Sequence, residues 1–176
     1  MKRLLLLGTF IATAFMLSCQ NKEVIKNKVA GTWKPLSATV YNNGIKTFPY
    51  GPNPTGRLIF TPEMQFLEYI VDSEIPPFKS DIRGKGSDEE NRRLLNGSLA
   101  LYGTYTVDEE GNFTGNLVEG SSFPNWVGNS RTTDDLSLVV KDSIMTELFF
   151  RPSGARVEIV WKRMEYFMSH PITLPI

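Results

Sequence analysis

The sequence contains a single cysteine, Cys19, and a single histidine, His170. A lone cysteine cannot form an internal disulfide. A Ser/His or Cys/His nucleophile, or a histidine-rich metal site, would have to use the one imidazole, which follows the last predicted strand. The sequence also has no glycine-rich phosphate loop between a strand and a helix. We therefore expect no metal ion and no cofactor, and the sequence favours a function other than catalysis.

An excess of basic residues is also absent, because 19 Lys and Arg residues balance 19 Asp and Glu residues. Removal of Lys2 and Arg3 with a predicted signal peptide leaves the remaining chain slightly acidic. A nearly neutral chain has no electrostatic attraction for the phosphate backbone of nucleic acid. We therefore expect that nucleic acid is not a partner.

The N-terminal segment has the pattern of a secretory signal. Lys2 and Arg3 precede an uncharged apolar run from Leu4 to Leu17, and the small residue Ser18 precedes Cys19. The run is shorter than the roughly 20 residues that a helix needs to cross a bilayer. Residues 16–19, Met-Leu-Ser-Cys, resemble a bacterial lipobox, although Met16 stands where leucine is more usual. The alternative is an ordinary secreted protein with an unmodified thiol.

These features predict how the chain is divided and where it resides. Residues 1–18 form the signal peptide, residues 19–28 a lipidated tether, residues 29–165 the folded domain and residues 166–176 a C-terminal tail. The resemblance to a lipobox implies that Cys19 carries the lipid that attaches the protein to a membrane of the cell envelope, outside the cytoplasm.

The folded domain is predicted to be all-β. Short segments rich in β-branched and aromatic residues alternate with clusters of turn-forming residues. The links between segments are mostly too short for parallel crossovers, so neighbouring strands should be antiparallel. About eight strands would form an up-and-down sheet that closes into a small barrel, although a two-layer sandwich is an open alternative. The predicted strands are Gly31 to Tyr41, Arg57 to Thr61, Met64 to Val71, Ala100 to Val107, Phe113 to Glu119, Leu136 to Lys141, Ile144 to Arg151 and Ala155 to Arg163.

One short helix is predicted from Asp88 to Asn96, inside an insertion between two strands. Ser87 and Glu90 have the spacing of a capping box, and Gly97 suits the position after the helix. Such a long connection is often functional, and we consider it a possible lid over the barrel mouth.

Five motifs occur in an order that resembles the bacterial lipocalin-like domain family, over Val29 to Arg163. The resemblance implies a small calycin-type barrel with a cavity for an apolar molecule. It also implies that Trp33 closes the barrel floor and that Arg163 lies over its ring. Asn116 and Leu117 stand where many relatives have histidines. The motifs are Gly31-Thr32-Trp33, the segment Gly51 to Pro62, the segment Tyr102 to Asp108, the segment Glu119 to Gly128 and the segment Val160 to Arg163.

Candidate ligand-binding residues come from the aromatic content of the strands and of one turn. Tyr69, Tyr105, Trp126 and Phe149 are expected to line a cavity of a few hundred Å³. Phe123, Asn125 and Trp126 would form an apolar wall with one hydrogen-bonding group, or a packed corner. Glu119 alternates in phase with Phe113 and Leu117 and is a candidate for an inward carboxylate, with exposure at a strand end as the alternative.

Three functions are compatible with this pattern. The first is a lipoprotein that binds a small apolar or amphipathic ligand. The second is a structural or interaction subunit of an envelope assembly, for which a filled barrel with an exposed apolar patch would be expected. The third is an isomerase or cyclase that uses inward carboxylates such as Glu119 and Glu147, and two carboxyl groups converging in the cavity would favour it.

Overall fold

The computed structural model describes residues 26–165 as ten β-strands, one α-helix and one 3₁₀ turn. Within this range, no helix has the length and apolar character needed to cross a membrane. The predicted signal peptide, Cys19 and the tail 166–176 lie outside the described residues. The elements are β1 (Gly31–Asn42), β2 (Ile45–Thr47), β3 (Pro54–Phe60), β4 (Gln65–Asp72), α1 (Asp88–Asn96), β5 (Ser98–Val107), β6 (Phe113–Ser121), a 3₁₀ turn (Pro124–Trp126), β7 (Ser130–Thr132), β8 (Leu136–Lys141), β9 (Ile144–Phe150) and β10 (Arg156–Arg163).

The strands form one antiparallel sheet in the order β7-β6-β5-β4-β3-β1-β10-β9-β8, with β2 paired to the end of β1. Strand β8 lies beside β6 and β7 without a hydrogen-bonded ladder, so the barrel is nearly closed. The all-β barrel prediction is confirmed, and the sandwich alternative is wrong because there is a single sheet. The sheet has ten strands instead of eight, because β2 and β7 are three-residue strands that the periodicity did not reveal.

One end of the barrel, here called the floor, is closed around Trp33. The Trp33 side chain is fully buried, and its Nε1 donates a hydrogen bond to the Val29 carbonyl at 2.8 Å. The Arg163 guanidinium lies 4.0 Å from the centroid of the Trp33 ring and donates to the carbonyls of Lys28 and Ala30. Arg163, at the end of β10, therefore holds in place the segment that leads into β1.

Residues 26–30 cross the floor and contact two hairpin turns. The Lys28 amide donates to the Gly111 carbonyl at 2.9 Å in the β5–β6 turn. Asn27 Nδ2 donates to the Tyr105 hydroxyl at 2.7 Å, and this hydroxyl donates to the Thr61 carbonyl at 2.6 Å in the β3–β4 turn. Lys26 to Lys28, predicted as the last part of the tether, thus lie against the barrel.

Large apolar side chains point inward from the long strands and fill much of the lumen. Alternation along β4, β5 and β10 places every second residue inside, as expected for a barrel strand. Burial of each such side chain stabilises the fold by roughly 1.5–3 kcal/mol. The largest fully buried members are Trp33, Trp161, Tyr105, Ile70 and Met145.

Strand β6 does not keep the simple alternation that the sequence suggested. Phe113 pairs with Val107 and Gly115 pairs with Thr106, so Thr114 is an extra residue that forms a β-bulge. The bulge reverses the phase of the strand, and Asn116 becomes an inward residue. Glu119 is exposed, so the alternative of exposure is confirmed and the alternative of an inward carboxylate is wrong. A second irregularity leaves Glu119 without a partner on β5, because Val118 pairs with Gly103 and Gly120 pairs with Tyr102.

Helix α1 begins and ends where the sequence predicts. The Ser87 hydroxyl accepts a hydrogen bond from the Glu90 amide, and the Glu90 carboxylate accepts one from the Ser87 amide. The cap therefore stabilises a helix that has no buried side chain, contacts β5 and is hydrogen-bonded to the loop before it, where Arg93 donates to the Glu74 carbonyl.

Replacement of Arg163 should weaken the floor strongly. We expect Arg163→Met to lower the free energy of unfolding by about 1–3 kcal/mol, because the partly buried Ala30 carbonyl and the exposed Lys28 carbonyl both lose their charged donor. Arg156 is the matched control, since it lies 4.5 Å from the Tyr41 ring centroid on the same strand but is largely solvated, with its Glu158 ion pair at the surface. Arg156→Met should cost under about 1 kcal/mol. Urea denaturation measures the free energy of unfolding of both variants. Equal losses in Arg163→Met and Arg156→Met would contradict the role given to Arg163.

Candidate functional site

A cavity of about 390 Å³ opens at the end of the barrel opposite the floor. It lies between the loop that joins β6 to β7 and the hairpin that joins β9 to β10. We call it the mouth cavity. Its apolar wall consists of Val118, Trp126, Phe149, Phe150 and Pro152, and its polar lining consists of Asn129, Ser130, Arg131, Asp134, Asp135 and Arg151.

The turn after β6 brings Trp126 to this cavity. Pro124 occupies the first position of a 3₁₀ turn, where its missing N–H costs nothing. The turn folds the Trp126 ring inward, where it meets Phe123 edge to face at 5.7 Å between ring centroids. Phe123 is 44% exposed, and Asn125 is exposed at the rim. Only one ring of the Phe-Pro-Asn-Trp segment therefore lines the cavity.

Beneath the mouth cavity lies a group of polar side chains inside the barrel, here called the interior polar cluster. Glu68 on β4 and Glu147 on β9 are 6% and 4% exposed. Glu147 Oε2 accepts a hydrogen bond from Trp161 Nε1 at 2.9 Å. Arg131 Nε donates to Asn116 Oδ1 at 3.0 Å, which holds the guanidinium over the lumen.

Tyr50 completes the interior polar cluster from a loop. The Gly51 amide donates to the Phe48 carbonyl at 3.1 Å, which closes a tight turn around Tyr50. Gly51 has φ +71°, and a side chain there would collide with the Asp72 carboxylate. This turn directs the Tyr50 ring into the barrel, where it is 8% exposed.

Burial changes the acidity of the cluster. The pKa of Glu68 is raised well above its ordinary value, first by loss of solvation and then by the charge of Glu147, while Arg131 partly opposes the shift. Burial also raises the pKa of Glu147, against the Trp161 hydrogen bond and Arg131. The pKa of Tyr50 is raised by burial and by the charge of Glu68. Simultaneous ionisation of the two carboxyl groups is therefore disfavoured.

A second, much smaller space lies within the interior polar cluster. Its volume is about 10 Å³, which is room for about one water-sized group. Tyr50, Glu68 and Glu147 border it. Four side chains line both this space and the mouth cavity, namely Trp126, Arg131, Phe149 and Arg151. The small space therefore lies next to the mouth cavity, with these four side chains between them.

The predicted ligand-binding residues fall into three groups. Trp126 and Phe149 line the mouth cavity, whereas Phe123 and Asn125 lie at its rim. Tyr105 lies in the floor, where its ring packs against Phe60 at 4.8 Å. Tyr69 is 45% exposed on the outer face of β4. The predicted placement of Tyr105 and Tyr69 in the cavity is therefore wrong, because Tyr105 packs in the floor and Tyr69 alternates outward. Glu119 is exposed, which is one of the two alternatives expected for it.

Sequence reasoning missed Tyr50 and Glu68. The sequence did indicate that Glu68 points inward, because Glu68 alternates with Phe66 and Ile70 and shares their inward face. No pattern in the sequence indicates the position of Tyr50, since this residue lies in a loop without periodicity. Glu147 is predicted only as a partner of Glu119, which the structure places on the outer face.

The outer surface carries an apolar groove of about 550 Å³ across β4, β5 and the β6–β7 loop. Its exposed side chains are Leu67, Tyr69, Tyr102 and Val127. The mouth cavity and this groove lie on opposite faces of the barrel wall, so they are separate features.

The fold and the mouth cavity define a small, nearly closed antiparallel barrel with a cavity at one end. A family model described as a lipocalin-like domain matches residues 30–163. The chain belongs to this family, whose barrel in general suggests the binding of small ligands. No curated protein matches the sequence.

The raised pKa values predict that stability depends on pH in a particular direction. A buried glutamate with a raised pKa stabilises the fold fully below its ordinary pKa, and this contribution is lost as pH rises toward the folded-state value. The free energy of unfolding should therefore fall above about pH 4.5, by up to roughly 1.4 kcal/mol per pH unit for each proton.

Glu68→Gln should reduce this slope, because the amide cannot ionise. Urea denaturation at several pH values between about 5 and 8 measures the slope of the free energy of unfolding against pH. Glu119→Gln, an exposed carboxyl on β6, is the control and should keep the slope of the unmodified protein. An unchanged slope in Glu68→Gln would show that Glu68 carries no proton in the folded state.

Proposed function

We propose that this protein binds a small amphipathic molecule in its mouth cavity while a lipid on Cys19 holds it to a membrane of the cell envelope. The observation that carries the binding proposal is the cavity itself. Its volume of about 390 Å³ lies in the range of small-molecule sites. Such sites combine a mostly apolar lining with a few convergent polar groups.

The lining of the mouth cavity matches an amphipathic ligand better than a fully polar one. Val118, Trp126 and Phe149 offer an apolar surface at the depth of the lumen. Arg131 and Arg151 lie between the mouth cavity and the small space of the interior polar cluster. A ligand with an apolar body and one polar group would satisfy both parts, because each part would lie against its own kind of surface.

Attachment through Cys19 is supported by the signal pattern and by the course of the chain. Residues 26–30 lie on the floor, and the mouth cavity is at the other end of the barrel. A lipid on Cys19, only a few residues before Lys26, would place the floor nearest the membrane. The mouth would then face away from the bilayer and be open to ligands from solution.

Lipid attachment is tested by metabolic labelling. Cells that express the full chain and receive radioactive palmitate should label the protein, and Cys19→Ser should abolish the label because it removes the acceptor sulfur. The membrane fraction should contain the unmodified protein but not the variant. A labelled Cys19→Ser protein, or an unlabelled unmodified one, would refute the anchor.

Ligand binding is tested with N-phenyl-1-naphthylamine, an uncharged apolar dye whose fluorescence rises in apolar surroundings. We expect Trp126→Ala and Phe149→Ala each to weaken binding about tenfold, equivalent to about 1.4 kcal/mol of lost contact. Tyr69→Ala is the matched control, because it removes an aromatic ring from the outer face and should leave binding unchanged. Dye binding that depends on Tyr69 and not on Trp126 would move the site to the outer groove.

The filled lower barrel and the outer apolar groove also fit the alternative of an interaction subunit. The two functions differ in what the protein retains. Native mass spectrometry of the protein purified from its own host should show a bound small molecule that Trp126→Ala loses. A protein that retains no molecule and does not bind the dye would favour the interaction subunit.

A further inference from the structure

Three lysines form a row across the outer face of the barrel at its floor end. Lys34 on β1 lies directly opposite Lys162 on β10, and Lys162 lies opposite Ile144 on β9. Ile144 in turn lies opposite Lys141, the last residue of β8. Residues directly opposite each other share one face of a sheet, and all three lysines are exposed. We call Lys34, Lys141 and Lys162 the lysine row.

The lysine row has no acidic partner within the part of the chain that the structure describes. Like charges directly opposite each other destabilise a sheet, and Lys34 and Lys162 stand in this relation. Within residues 26–165 the one ion pair joins Arg156 to Glu158, so no lysine of the row takes part in one. The lysine row therefore costs stability in the folded protein, and its charges are available to a negatively charged partner.

The lysine row borders a surface groove of about 380 Å³ at the floor. Lys34, Lys162 and Arg163 line this groove, together with the carboxylate of Glu165. The Arg163 guanidinium is already occupied by the Trp33 ring and by two backbone carbonyls. The two lysines alone outnumber the single carboxylate of the lining, so the groove attracts anions.

The acidic residues of the floor are concentrated on the other side of the barrel. Asp108, Glu109 and Glu110 belong to the turn between β5 and β6. In the hydrogen-bonded order, β5 is separated from β10 by β4, β3 and β1, which places this turn across the barrel from the lysine row. Asp142 follows Lys141 in the β8–β9 turn but makes no ion pair with it. The floor thus has a basic side at β8, β9, β10 and β1 and an acidic side at β5 and β6.

Exposed apolar side chains flank the lysine row. Val139 is on the same face of β8 as Lys141 and is 60% exposed. Leu36, in the bulge of β1, is 45% exposed. A membrane surface accepts cations at its anionic head groups and apolar side chains just beneath them. A soluble anion offers no apolar layer, so the combination favours an anionic lipid surface as the partner.

The proposed anchor brings such a surface within reach. Cys19 precedes Lys26, the first described residue, by seven positions. A fully extended chain of that length spans at most about 25 Å. Residues 26–30 lie on the floor, where Arg163 donates to the Lys28 carbonyl. A lipid on Cys19 would therefore hold the lysine row near the head groups of the same bilayer.

We propose that the lysine row docks the barrel on the anionic head groups of the membrane, with the basic side of the floor against the lipid and the acidic β5–β6 turn directed away. This inference rests on the proposed attachment through Cys19 and adds the orientation of the barrel at the bilayer. Each lysine close to an anionic surface strengthens binding by about fivefold at low salt. The lipid and the lysine row then act as two signals for one membrane.

The test is co-sedimentation with phospholipid vesicles of the chain from Gln20 to Ile176, which keeps the described barrel and lacks the acceptor cysteine. Vesicles that contain phosphatidylcholine and phosphatidylglycerol in equal amounts should bind this protein at least about tenfold more strongly than vesicles of phosphatidylcholine alone. The comparison is made in about 0.05 M NaCl, and about 0.5 M NaCl should remove the difference because salt screens exposed charges.

Variants show whether the lysine row or the overall charge is responsible. Replacement of all three residues of the lysine row by glutamine should abolish the preference for anionic vesicles. The fold should be kept, because this change relieves a like-charge pair on the surface. The matched control removes the same charge from exposed positions in β2 and in the β4–β5 connection and should keep the preference. It combines Lys46→Gln, Lys79→Gln and Lys85→Gln.

Four results would overturn the inference. They are equal binding to the two kinds of vesicle, a preference that persists without the lysine row, an equal loss in the control variant, and displacement by inorganic phosphate at constant ionic strength. The last result would indicate a site for a small soluble anion. Because the protein tested lacks Cys19, none of these results depends on lipid attachment, and palmitate labelling tests the anchor separately.

Discussion

The pairing of β1 with β10 is the constraint on which the rest of the structure depends. Trp33 lies opposite Arg163 in this ladder, and the register continues to Tyr41 opposite Arg156. Because β1 also pairs with β3, the first and last strands become neighbours in the middle of the sheet. The two halves of the sheet then curve towards each other and meet at β7 and β8. This curvature creates an inside, and every inward side chain must either pack or find a polar partner there.

The two ends of the lumen meet this requirement differently. At the floor, Trp33, Tyr105 and Arg163 satisfy their polar atoms through backbone carbonyls, and apolar side chains fill the remaining volume. In the upper half, Glu68 and Tyr50 are buried without such partners among the described residues. An apolar replacement there would pack at no polar cost. The upper half therefore holds polar side chains that make no hydrogen bond within residues 26–165, whereas the floor is packed and paired, as expected of a binding site carried by a rigid scaffold.

Much of the fold follows from local patterns. The eight long strands lie close to where alternation and turn-forming residues placed them, and the Ser87 cap begins the helix as its spacing indicates. Strand β2 follows Asn43-Gly44, a turn with positive φ at both residues that is a recognised hairpin signal. The reasoning failed at β6, where two residues without a partner on β5, Thr114 and Glu119, interrupt the alternation. Alternation is a local rule, and it cannot show that one strand carries a residue without a partner on the next.

The sequence by itself determined which segments form strands, where the chain turns and which faces are apolar, because these depend on neighbours only a few residues apart. It also carried the inward phase of Glu68 and Glu147. Only the tertiary structure decided that those two carboxyls, Tyr50 and Arg131 share one small space under Trp126 and Phe149. These residues come from β4, β9, a loop and β7, far apart along the chain. Their meeting depends on the closure of the sheet and on side-chain volumes summed across the whole lumen, which no local pattern contains.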